Sequence, residues 1–134
     1  MQTAVLNIVG LTPSLIGEHS PNLARQVKAG QLVNLQPVLP AVTCSVQASM
    51  LTGQPVGEHG IVANGWYHRD TGEVRFRHRS NRLVEAEQVW QTARRRDPSI
   101  TCASLFWWHN THADADVVLS SLLDERIRLD RSTE

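Results

Sequence analysis

Thr43 is the residue of this sequence with the clearest chemical opportunity. It stands in "LPAVTCSVQASMLTG", the stretch from Leu39 to Gly53. A threonine hydroxyl is a poor nucleophile near neutral pH and gains strength from a metal ion or an adjacent base. Its place ahead of a helical run, from about Thr43 to Gly53, supplies a second ingredient of phosphoryl chemistry. The free N–H groups and the positive end of the helix dipole at such a terminus favour a bound anion. Taken by position alone, Thr43 reads more simply as a helix cap, a role threonine fills well.

Other chemistries fail on spacing. The position where a cysteine phosphatase with Cys44 as nucleophile would carry its phosphate-binding arginine holds Met50. No G-x-S-x-G elbow is present, and the glycines between Gly53 and His59 lack the Gly-Lys-Ser/Thr of a nucleotide loop. His109, His112, Asp114 and Asp116 offer donors suited to zinc or manganese, but their spacing matches no common ligand pattern and a solvated loop is the simpler reading. The arginines from Arg75 to Arg82 could follow a phosphate backbone. Acidic residues balance them across the chain, so a solvated strand face is the simpler account.

Strands and helices must position these groups. "TAVLNIVG" and "QLVNLQPVLP" read as β-branched apolar strands, and "ITCASLFWW" as a third. "GEVRFRHRS" alternates, with Val74, Phe76 and His78 on one face and Arg75, Arg77 and Arg79 on the other. Ser20, Pro21 and Gly30 punctuate one helix. A second, Thr43 to Gly53, would place Val46, Met50 and Leu51 on one side. A third follows Glu85, with arginines in its last turn. This alternation predicts an α/β fold with a mainly parallel sheet, containing Thr3–Val9, Leu32–Leu35 and Ile100–Trp107, flanked by helices.

At 134 residues the chain is long enough for one ordinary core, and its formal net charge of zero gives no bulk argument for nucleic acid or membrane. Cys44 and Cys102 match no metal or redox spacing and read as reduced thiols. The amino terminus has no basic leader and no run is long enough for a membrane helix, so the expected location is the cytoplasm.

The order Pro40-Ala-Val-Thr43-Cys44, then Thr52-Gly53, then His59-Gly60-Ile61 and Asn64 resembles the nucleotide pyrophosphatase/phosphodiesterase branch of the alkaline phosphatase superfamily. A looser likeness runs from about Thr3 to about Asn110. The resemblance implies an alkaline-phosphatase-like fold and a phosphoester or nucleotide small molecule as substrate. It implies that Thr43 is the catalytic nucleophile, held as an alkoxide by one or two zinc ions, and that Asn64 donates to the phosphoryl group. Gly53 and Gly60 would let the chain turn back so that Asn64 meets Thr43, with His59 bracing that turn.

The sequence also departs from the family. Val9 stands where a metal-binding aspartate is expected before Gly10, and Asn7, on the same strand face, is a weaker substitute ligand. Family members are much longer and carry their remaining metal ligands in later segments. The chain therefore reads as the amino-terminal part of such a domain over 1–112, with a divergent tail over 113–134 from truncation or an altered reading frame. Two outcomes are expected: a weakly active or inactive zinc hydrolase, or a non-catalytic anion-binding module without metals. A sheet cut short would also leave apolar surface around Phe106, Trp107 and Trp108, favouring self-association.

Overall fold

The computed structural model of the chain describes residues 2–120. The chain divides into two compact units, Met1–Gln36 and Pro37–Glu134.

In the first unit a short 3-10 turn at Pro13–Leu15 precedes helix α1, Pro21–Ala29. The boundaries follow the punctuation: Ser20 is the N-cap, Pro21 opens the helix, and the Gly30 N–H closes it on the Gln26 carbonyl at 2.9 Å. Ser20 serves the preceding turn with its side chain, donating to the Leu15 carbonyl at 2.9 Å and accepting from the Gly17 N–H.

The expected strands Thr3–Val9 and Leu32–Leu35 do not form. Neither segment has a ladder partner among the described residues, and Leu6, Val9 and Leu35 are among their exposed apolar side chains. A β-branched run states what a segment can do beside a partner; without one, its backbone N–H and C=O groups gain nothing from the strand.

The second unit carries the remaining elements. Helix α2 (Thr43–Thr52) ends at Gly53 and helix α3 (Val56–His59) at Gly60; both glycines are left-handed, with φ of 67° and 76°. Strands β1 (Gly65–His68) and β2 (Glu73–Phe76) pair antiparallel, with Gly65 opposite Phe76. Helix α4 (Val89–Arg96) follows, and the Gln91 side chain accepts the Gln88 N–H at 2.8 Å at its start. Strands β3 (Ala103–Leu105) and β4 (Val117–Leu119) pair parallel. Helices and strands are thus mixed, as an α/β fold requires. The expected mainly parallel sheet is replaced, among the described residues, by two two-stranded sheets, one antiparallel and one parallel.

Strand β3 is shorter at both ends than the expected Ile100–Trp107; it stops at Leu105 because Phe106 has a φ of 61° and leaves the extended region. The expected divergent tail over 113–134 contains β4; its part over 121–134 lies outside the described residues.

The core of this unit is small. Cys44 and Ala48, one turn apart on α2, pack with Ile61, and Trp66, Leu83, Val84 and Trp108 close around them. The expected apolar face of Val46, Met50 and Leu51 is not the buried one: Met50 is 47% exposed, whereas Cys44, Ser45, Gln47 and Ala48 are buried. Small side chains let Ile61 approach closely, and the polar ones find partners. The Gln47 Oε1 accepts the Trp108 N–H at 2.7 Å.

Gly65 marks another close approach. A Cβ there would lie 2.8 Å from the Arg75 carbonyl oxygen and 2.5 Å from a Phe76 ring carbon. The ring is exposed and could turn away, but the carbonyl belongs to the partner strand. Gly65→Ala is expected to weaken the β1–β2 hairpin by about 1–3 kcal/mol. Thermal melts would register this as a lower midpoint, and an unchanged midpoint would show that the strands can part at no cost.

Candidate active site

The start of α2 is fixed from behind by Ser45. That residue is fully buried, and its hydroxyl donates to the Pro40 carbonyl at 2.6 Å, with the Val42 carbonyl 3.2 Å away. The turn before the helix is thereby tied to the helix itself. Val42, not Thr43, is the N-cap residue, and Thr43 opens the first turn. Thr43 is exposed, and its hydroxyl has no hydrogen-bond partner among the described residues. The capping role that position suggested is therefore not the one Thr43 fills.

Asn64 reaches the same terminus from the start of the hairpin. Its Oδ1 accepts the Cys44 N–H at 3.0 Å, and its backbone carbonyl accepts the Arg77 N–H at 2.6 Å. The first bond fixes the orientation of the amide, because only Oδ1 can accept from an N–H. The Nδ2 group is left without a partner among the described residues, and the bonded Cys44 directly follows Thr43 in the chain. Thr43 and Asn64 are thus brought together at one helix terminus.

The turn that returns the chain to α2 is held by His59, which is fully buried. Its Nδ1 accepts the Ile61 N–H at 3.1 Å, so Nε2 carries the proton and donates to the Ser49 Oγ of α2 at 2.8 Å. Burial holds this imidazole below the usual histidine range, and its neutral tautomer is the one both bonds require. His59 braces the site and does not face it.

Cys44 is the other nucleophile at this terminus. Burial pushes its thiol up to about 11, against the opposing charge of Arg77. At neutral pH it is a buried neutral thiol, hence unreactive. The contrast leaves Thr43 as the accessible hydroxyl and Cys44 as a packing residue that lends its backbone N–H.

Asn7 belongs to the first unit, where it is exposed and lies in no described helix or strand. Asp114 and Asp116 pair with the Arg94 guanidinium, and the Asp116 Oδ2 also accepts the Cys102 N–H at 2.6 Å. His109 is buried, with neither ring nitrogen hydrogen-bonded. Among the described residues, no group of three or more His, Cys, Asp or Glu side chains could hold a metal ion. The two-zinc centre implied by the resemblance does not fit these donors.

Sequence reasoning names the free N–H groups of the helix start but misses Ser45 and Gly65. Serine one turn into a helix carries no signal for a bond back to Pro40, and Asn64-Gly65 reads as a turn rather than a strand start.

No curated protein and no solved structure matches the chain. The model of the type I phosphodiesterase / nucleotide pyrophosphatase family matches residues 3–131 of the 134, and the chain therefore belongs to that family.

Proposed function

We propose that the start of α2 is the phosphoryl-accepting site of a phosphodiester or nucleotide pyrophosphate hydrolase, with Thr43 as nucleophile. The family is metal-dependent and acts on phosphoester and nucleotide small molecules. The observation that carries the reading is the hydrogen bond from the Cys44 N–H to the Asn64 Oδ1. It turns the Asn64 Nδ2 into a positioned donor beside an exposed, unbonded hydroxyl.

In this reading the Thr43 Oγ1 bonds to phosphorus, giving its proton to water, as the bond to the leaving ester oxygen breaks. Water protonates the departing group, and a second water then cleaves the threonyl–phosphoryl bond. Asn64 Nδ2 and the positive end of α2 stabilise charge on the non-bridging oxygens. Zinc is the cofactor of this reading, and lowering the hydroxyl pKa is the chemistry it would supply. The described donors do not complete its site, so turnover by this chain is expected to be weak.

A second reading is an anion-binding module that works without metals, favoured by the lack of a three-donor cluster among the described residues. Hydrolysis of a nitrophenyl phosphodiester with added zinc separates the two. The hydrolase reading expects slow zinc-dependent release that Thr43→Ala removes. Phosphate binding with no release dependent on Thr43 would establish the module instead.

A further inference from the structure

His68 closes strand β1, and His78 lies two residues beyond the end of β2. The strand alternation stops between Phe76 and His78, because Arg77 has a φ of 56°. His78 therefore does not continue the expected row of Val74 and Phe76. It turns onto Trp66 and His68, with ring centroids 5.0 Å and 4.9 Å away. The two Nε2 atoms meet at 2.9 Å.

We propose that His68 and His78 form a bidentate imidazole site for a divalent transition-metal ion, Cu(II) before Ni(II), separate from the Thr43 terminus. Imidazole nitrogen binds such ions at about 2.0–2.1 Å. Two nitrogens at that distance lie about 2.9 Å apart across a right angle and about 3.3 Å apart across a tetrahedral one. The two Nε2 atoms are thus already close enough to enter one ion's coordination shell with little movement, and the order Cu(II) before Ni(II) follows the usual affinity of nitrogen ligands for divalent ions. Water fills the other positions, because no third His, Cys, Asp or Glu joins the pair among the described residues.

Without an ion, one Nε2–H donates to the other Nε2 lone pair. Binding needs both lone pairs, so the donor ring moves its proton to Nδ1 by exchange with water. No electron is transferred and no net proton is released. Burial, then the neighbouring His68 and Arg75, hold the His78 imidazole below its usual range, so it is neutral near pH 7. The Arg75 charge opposes a cation, but its guanidinium is paired with Glu73 at 2.7 Å.

Trp66 is a built-in reporter, since both imidazoles lie against it and a bound Cu(II) quenches indole emission at this range. Titration of the 134-residue chain with Cu(II) is expected to quench tryptophan fluorescence saturably, and Trp66→Phe to remove most of that change. His68→Gln or His78→Gln should weaken the affinity about tenfold or more, because a chelate becomes a single ligand. Thr43→Ala should leave the titration unchanged, which separates this site from the proposed hydrolase site. In the unaltered chain, Cu(II) should broaden the imidazole resonances of His68 and His78 together and before those of His19 and His112. Equal broadening of all exposed histidines, or an isotherm indifferent to both substitutions, would overturn the proposal.

Discussion

Thr43→Ala is expected to take the slow phosphodiester release of this chain down to the solvent background and to leave the fold intact. Both halves follow from one geometry. The hydroxyl is exposed, makes no hydrogen bond among the described residues and is not the N-cap, so removing it breaks no structural contact. Alanine is also the better helix former. The stability change should stay within about 0.5 kcal/mol, as for surface substitutions generally. A nucleophile, by contrast, has no substitute at this terminus, because Cys44 is buried and its thiol is pushed up to about 11. Thr43→Ser should retain part of the release. Parallel rate and melting measurements check the pair of expectations. An alanine variant that melts far below the parent would mean that Thr43 is structural.

Acid should begin to destabilise this protein from about pH 6.5 downward, before its carboxylates protonate. Burial, against an opposing pull from the Ser80 backbone and with further help from His78 and His59, lowers His109 from 6.5 to about 4. Below about pH 6.5 the unfolded chain binds a proton that the folded chain refuses. Stability is therefore complete above that pH and is lost as the pH falls towards 4. The displacement corresponds to about 3 kcal/mol, a large share of a small domain's net stability. His59 is lowered too and acts in the same direction, since its protonation would break the Nδ1 bond to Ile61. Urea midpoints should thus fall steeply between pH 7 and pH 4.5. His109→Asn should flatten that slope, because asparagine tolerates the φ of 51° there and does not titrate. A midpoint that does not move with pH would refute the account of His109.

What was legible in the sequence was local. Pro21 and Gly30 delimit α1, and Gly53 delimits α2, because those residues act through their own backbone conformations. The sheet was not legible, since "TAVLNIVG" has the composition of a strand but names no partner. The core was misjudged for a related reason. Ranking side chains by hydrophobicity selects Met50 and Leu51, while close packing against Ile61 selects Cys44 and Ala48. His78 was assigned by alternation to the face of Phe76, and one left-handed residue, Arg77, undid that. The association of Asn64 with Thr43 came from the family likeness. No local pattern specifies a bond from Cys44 to a side chain so far along the chain.

The central claim is that Asn64 and Thr43 together receive a phosphoryl group, and anion binding tests it most directly. Vanadate or inorganic phosphate can be titrated into the isotopically labelled 134-residue chain and followed by amide resonances. The account predicts saturable shifts of the Thr43 and Cys44 backbone amides and of the Asn64 side-chain NH2. Asn64→Asp should weaken binding about tenfold or more, because it replaces the Nδ2 donor with a negative oxygen while keeping an acceptor for the Cys44 N–H. Shifts confined to other parts of the chain, or an affinity untouched by Asn64→Asp, would contradict it.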